Sequence, residues 1–142
     1  MLDKKTSILL VDDDSLVANS LARMLRAKRY NVSICHDPAR ALAFCDKFQF
    51  DLIITDQRMP LMDGTEFARL ARRKQPYTRV VLISGYSDTC KVEEACDSGV
   101  VHHYVSKPWD NTKLIEVIDE QLLIAELRDS FQQDFRAIAM VR

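Results

Sequence analysis

The sequence predicts an α/β domain, a parallel sheet of five strands covered on both faces by helices. Three observations predict it. Five short apolar runs, most of them rich in β-branched residues, recur along the 142 residues. Stretches with helical spacing separate them, and polar or turn-forming residues close each run. Strands joined through helices take right-handed crossovers, so they lie parallel in one sheet.

Each element can be justified in turn. "SILLV" (Ser7 to Val11) is the first strand, and Leu16, Ser20 and Met24 with Leu21 and Leu25 follow at the spacing of a helix. "VSIC" (Val32 to Cys35) is the second strand, followed by Ala39, Leu42 and Ala43. "LIIT" (Leu52 to Thr55) is the third and precedes Phe67, Leu70 and Ala71. "VVLIS" (Val80 to Ser84) is the fourth, with Val92, Ala95 and Cys96 behind it. "HYVS" (His103 to Ser106) is the fifth. The last 32 residues, from Asn111, contain no Pro or Gly and read as one long helix.

Composition narrows the function classes. At 47% hydrophobic and 29% charged, the chain suits a single soluble globular domain with a sizeable core and leaves no room for a second catalytic domain. Twenty basic and 21 acidic residues give a net charge of −1, which argues against a broad nucleic-acid footprint. No apolar run approaches the roughly 20 residues that span a bilayer, and "MLDKKTSILLVDDDS" turns acidic too soon for a signal peptide. A cytoplasmic location is expected. Cys35, Cys45, Cys90 and Cys96 lack C-x-x-C spacing and read as reduced thiols, and with His102 and His103 they match no usual zinc pattern.

In an open parallel sheet, ligand chemistry belongs at the carboxyl ends of the strands. The residues just beyond those ends are Asp12, Asp13 and Asp14, then Asp56, Ser84, and Lys107 with Pro108. Crowded carboxylates repel one another unless a cation neutralises them, and hard oxygen ligands suit Mg²⁺. A lysine and a hydroxyl beside such an ion match the charge of a phosphoryl group. Plainer roles stand beside these. Any of the three aspartates, Asp14 above all, can cap the following helix. Asp56 can be a turn former, Lys107 a solvated lysine, Ser84 a loop start, and Tyr104 a strand aromatic.

Together "LLVDDDS", "DLIITDQRMPLMDG", "VVLISGY" and "HYVSKPW", in this order, resemble the receiver domain of bacterial two-component response regulators. The resemblance covers residues 5 to 125 and implies a flavodoxin-like sheet in the order 2-1-3-4-5. It implies that Asp56 accepts a phosphoryl group from a sensor histidine kinase or a small donor such as acetyl phosphate. Asp13 would ligate Mg²⁺ directly with Asp12 in support, and the Arg58 carbonyl would complete the protein's share of the shell. Ser84 would be the switch hydroxyl, Lys107 the phosphoryl-pairing lysine on a cis Lys107–Pro108 bond, and Tyr104 the switch aromatic. Arg58 and Tyr86 stand where the single-domain chemotaxis receiver has smaller or acidic groups, and are expected to tune the lifetime of the acyl phosphate.

"DQRMP", "LISGYSD" and "KPW" also resemble the receivers that precede HD-GYP phosphohydrolase or hydrogenase-regulator output domains. The receiver is expected over residues 1–125 and a helical extension or linker over 126–142. Val117, Ile124, Phe131 and Ile138 recur every seven residues, with Leu127 and Val141 at the complementary position and Asp134 interrupting the seam. A homodimer is therefore expected through this helix, or through the face of the fourth helix and fifth strand. The chain is read as a signalling module rather than a multiple-turnover enzyme, with an unphosphorylated interaction module as the alternative. A phosphatase using a D-x-D site is disfavoured, because "TDQRM" lacks the second aspartate.

Overall fold

The structure, a computed structural model, describes residues 5–85 and 89–140. Five strands and five helices alternate: β1 (Ser7–Val11), α1 (Ser15–Ala27), β2 (Asn31–Cys35), α2 (Pro38–Lys47), β3 (Leu52–Asp56), α3 (Gly64–Lys74), β4 (Arg79–Ser84), α4 (Thr89–Asp97), β5 (His103–Ser106) and α5 (Asn111–Met140). All strand pairs are parallel, in the order β2-β1-β3-β4-β5. This is the flavodoxin-like arrangement.

Alternation along each strand divides the core into two layers. Leu9, Val11, Ile53, Val80 and Leu82 point to the side covered by α2, α3 and α4, where they meet Cys45, Phe67, Ala71 and Val92. Ile8, Leu10, Leu52, Ile54, Val81 and Ile83 point to the side covered by α1 and α5, where they meet Leu21, Leu25, Leu114, Ile118 and Leu122. Every residue of β3 is buried, as a strand in the middle of a doubly covered sheet must be. Edge strand β5 keeps His103, Tyr104 and Ser106 exposed.

Two helices bury only part of the face their spacing suggested: Leu21 and Leu25 of α1 are inside and Leu42 of α2 packs against the core, but some of their companions do not. In α1 the buried set is Ala18, Leu21, Ala22 and Leu25, whereas Leu16 is 81% exposed. In α2 it is Pro38, Ala41 and Cys45, whereas Ala39 and Ala43 are exposed. Alanine is small enough to sit on either side of a helix, so the tight approach of α2 to the sheet decides its face rather than its polarity. The four cysteines are free thiols, with Cys35 and Cys45 buried and Cys90 exposed.

Asp110 stands just before helix α5, and its carboxylate accepts from the Thr112 N–H at 2.8 Å. The helix runs without interruption for 30 residues. Its buried positions end at Ala125, and beyond them Leu127, Phe131, Phe135 and Ile138 are each at least 60% exposed. No helix among the described residues is long and apolar enough to cross a membrane.

Candidate functional site

The order of the strands reverses between β1 and β3, the place where an open α/β sheet forms its ligand crevice at the carboxyl ends. Parallel register then places the residues beyond each strand side by side. Val11 pairs with Thr55, so Asp12 follows on one strand where Asp56 ends the other. Asp56 pairs with Ile83, so Ser84 lies one step further along β4. Ser84 pairs with Ser106, and the Lys107 N–H donates to the Ser84 carbonyl at 2.9 Å. Four strands thus deliver Asp12, Asp56, Ser84 and Lys107 to one rim.

Each side chain is held by local chemistry. Asp12 is 3% exposed, and its carboxylate accepts from the Asp14 N–H at 2.9 Å. The Asp12 carbonyl accepts from His36 Nδ1 at 2.9 Å. Burial is the main cause that pushes the Asp12 carboxyl up to about 6, with the neighbouring Asp56 charge adding to it. Asp13 is exposed toward the crevice rim. Asp14 instead caps α1, its carboxylate accepting from the Leu16 and Val17 N–H groups. The capping role and the cluster role, both open for this run of aspartates, are divided between neighbours.

Asp56 is 6% exposed, and one of its carboxylate oxygens accepts from Lys107 Nζ at 2.8 Å. The Lys107–Pro108 bond is cis, as expected. One oxygen from each of Asp12, Asp13 and Asp56 lies within 4.8 Å of the others. The donors are all carboxylate, the set a hard divalent cation such as Mg²⁺ prefers, so the residues fit the ion the sequence implied. Ser84 is 4% exposed and donates weakly to the Gly85 carbonyl at 3.3 Å. Tyr104 is 37% exposed on the outer edge of the sheet. Arg58 is exposed and lines a shallow cleft with Gln57, Met59, Pro60 and Asp63. Tyr86 and Val141 lie outside the described residues.

Three residues that sequence reasoning passed over shape the Asp56 loop. Gly64 packs so tightly that a Cβ there would stand 2.3 Å from the Asp56 carbonyl oxygen and 2.7 Å from Leu82 Cδ1. Gln57 is buried; its carbonyl accepts from the Gly64 N–H at 2.8 Å and its side chain from the Thr65 N–H at 2.9 Å. The Thr55 hydroxyl donates to the Asp56 carbonyl at 3.0 Å. Together they close the turn that lets the chain leave the sheet while the Asp56 side chain faces the crevice. The only signal in the sequence was "MDG", a glycine behind the α3 cap Asp63. Leu61, with φ 72 and a fully exposed side chain, makes the sharp bend of that loop.

Residues 8–119 match the response regulator receiver domain family. The hydrogenase transcriptional regulatory protein HoxA of Cupriavidus necator is 31% identical over 119 residues, 83% of this chain and 24% of that protein. Among solved structures, an adenylate cyclase from Rhodopirellula baltica is 30% identical with a TM-score of 0.88, covering 94% of this chain and 98% of that one. The signal receiver domain of an HD domain-containing protein from Pseudomonas fluorescens is 25% identical with a TM-score of 0.84, over 92% and 96%. These relatives include both kinds of protein, hydrogenase regulator and HD-domain receiver, that the motifs resembled. The chain spans from 24% to 65% of the length of the curated relatives it first matches.

Proposed function

The chain belongs to the response regulator receiver domain family of two-component signal transduction, and from that premise we propose that Asp56 is its phosphoacceptor. The observation that carries this reading is the buried Asp56 carboxylate, paired with Lys107 at 2.8 Å and clustered with Asp12 and Asp13 at the open end of the sheet. Asp56 pairs as a carboxylate with the Lys107 ammonium, so the nucleophile needs no base. What the site contributes is position and opposite charge.

Receiver domains of response regulators take their phosphoryl group from sensor histidine kinases. In that transfer an Asp56 oxygen attacks phosphorus, the new O–P bond forms as the P–N bond to the donor imidazole breaks, and the electron pair leaves with the imidazole. Lys107 moves its ammonium from the Asp56 oxygen to the phosphoryl oxygens, keeping the charge balanced. Asp12, Asp13, Asp56 and the Arg58 carbonyl are the groups that would hold Mg²⁺. That ion, when bound, neutralises the phosphoryl charge. Ser84, only weakly engaged by Gly85, turns its hydroxyl to the phosphoryl group, and the half-exposed Tyr104 follows into the space it leaves. The result biases the α4 and β5 face between two arrangements. Arg58 and Tyr86, two residues after Asp56 and Ser84 in the sequence, set how long the acyl phosphate lasts. Kinase delivery places the chain in the cytoplasm.

The first test is incubation with acetyl phosphate and Mg²⁺, followed by intact mass and by the fluorescence of Trp109, which stands two residues past Lys107. Wild type gains one phosphoryl group and Asp56→Asn gains none. A chain that shows no mass or fluorescence change with either acetyl phosphate or beryllofluoride acts as an interaction module instead. Dephosphorylation rates that stay unchanged in both Arg58→Asn and Tyr86→Ala remove those two from the lifetime role.

The receiver reading extends over residues 1–125 with 126–142 as a helical extension, and the extension supports a second protomer. Leu123, Leu127, Phe131, Phe135 and Ile138 form one apolar stripe, each more than half exposed. Pairing two stripes across a twofold buries them against each other. Sedimentation equilibrium should show a dimer that Phe131→Glu dissociates, and a monomeric wild type discards this assembly.

A further inference from the structure

Opposite the crevice, at the amino end of the sheet, four basic side chains from three elements and the loop before β5 gather along one stretch of chain, Pro76 to Val80. There Arg72 meets Pro76, Arg128 meets Tyr77, and His102 meets Val80 beside Arg79. Arg72 stands in the last turn of α3, Arg79 opens β4, His102 leads into β5, and Arg128 lies on α5. Arg72 donates to the carbonyls of Gly99 and Pro76, which anchors it between the loops entering β4 and β5. Its Nε is buried and has no hydrogen-bond partner among the described residues. Arg79 Nε donates to the Gln121 side chain of α5 at 2.8 Å, which leaves its two terminal nitrogens for other acceptors. The Arg128 guanidinium sits 5.7 Å from the centre of the Tyr77 ring, beside the same loop. His102 Nδ1 accepts from the Val80 N–H at 3.0 Å, so the neutral ring carries its proton on Nε2.

None of the three arginines forms an ion pair with a carboxylate among the described residues. They feel one another instead. Arg128 lowers the pKa of both Arg72 and Arg79 in addition to burial, and all three hold His102 down to about 4 behind burial as the main cause. The C-terminal dipole of α3 accounts for a cation at Arg72 but not for Arg79 or Arg128. Partly buried like charges with spare terminal donors, as on Arg79, are the features of an oxyanion site. Planar guanidinium forks arriving from separate elements suit a tetrahedral group with several acceptor oxygens better than a planar carboxylate.

We propose that Arg72, Arg79, His102 and Arg128 form a binding site for a phosphate-class oxyanion, free or as a phosphomonoester, that ties the base of the sheet to α5. It is separate from the Asp56 crevice and takes the opposite charge.

The test titrates the full chain with inorganic phosphate in EDTA, so that no divalent ion reaches the crevice, against sodium chloride at matched ionic strength. Adenosine monophosphate serves as the phosphomonoester arm. Saturable binding of either is expected, and tighter binding of the nucleotide identifies an ester as the ligand. Arg79→Gln and Arg128→Gln should each weaken it by about tenfold or more. Arg136→Gln, which removes a charge from α5 outside the cluster, should not. Hydrogen exchange of the α5 backbone around Arg128 should slow on binding. Equal responses to phosphate and chloride, equal loss in Arg128→Gln and Arg136→Gln, or protection located away from Arg128 would each overturn the site.

Discussion

The two ends of the sheet are built on the same plan with opposite charge. At the carboxyl end, the loop after β1 and the end of β3 bring Asp12, Asp13 and Asp56 within 4.8 Å of one another. At the amino end, α3, β4, the lead into β5 and α5 set Arg72, Arg79, His102 and Arg128 along the stretch from Pro76 to Val80. The formal net charge of −1 hides both. They differ in how far each is neutralised internally. The acidic end has Lys107 at 2.8 Å and a carboxylate set that fits one further cation, whereas the arginines have no carboxylate partner among the described residues. Like charges that a fold assembles from distant positions, at a cost in self-repulsion, point to a ligand of the other sign.

That contrast can be broken or sharpened by substitution. The largest effect belongs to the internal cation of the acidic end: Lys107→Ala should slow phosphoryl transfer from acetyl phosphate by on the order of 10²-fold, measured by intact mass against time. An unchanged rate would remove the difference between the two ends. Gly64→Ala should destabilise the chain by about 1–3 kcal/mol in urea unfolding, because the new methyl meets the Asp56 carbonyl and Leu82 with little room to move. A neutral effect would mean the Asp56 loop is not rigidly seated.

Smaller effects separate neighbours within the acidic end. Asp14→Ala should cost about 1 kcal/mol of stability by uncapping α1 and leave the Mg²⁺ response intact. Asp13→Ala should do the reverse, leaving stability near wild type while weakening the fluorescence response of Trp109 to Mg²⁺. A last effect is a difference in the slope of stability with pH, a slope that for His102 is absent at neutral pH. His102 titrates near 4 when folded against 6.5 unfolded, so the unfolded chain takes up the proton first. Its contribution is therefore present above pH 6.5 and lost as pH falls toward 4. In EDTA, Asp12 acts in the opposite sense: its folded value of about 6 exceeds 3.8, so the folded chain protonates first and stability rises as pH falls through that window. His102→Gln should remove the loss on acidification and Asp12→Asn the gain, read as urea midpoints from pH 7 to 4.

Much of the acidic end was legible because the strand is the ruler. A buried β-branched run ends at a definite residue, and parallel register brings successive strand ends to one edge, so Asp12, Asp56, Ser84 and Lys107 could be placed together before any coordinates. The division of labour between Asp13 and Asp14 was not legible, since adjacent carboxylates look alike until backbone angles decide which one meets the α1 N–H groups. Gly64 was not legible either, because its requirement comes from Leu82, 18 positions away. In α2, Ala39 and Ala43 carried too little polarity to mark a face, and packing put Ala41 and Cys45 inside instead. The cluster at the amino end had no signal at all: Arg72, Arg79, His102 and Arg128 are spread over 57 residues and follow no period.

By itself, then, the sequence determined the alternation of strands and helices, the parallel sheet and the edge where the acidic chemistry lies, because those follow from local periodicity and from the chirality that constrains crossovers. Only the tertiary structure decided which aspartate caps and which joins the cluster, why residue 64 must be glycine, and that arginines from three separate elements meet at the far end of the sheet. These depend on contacts between residues distant in the chain, and such distances are set by packing rather than by spacing.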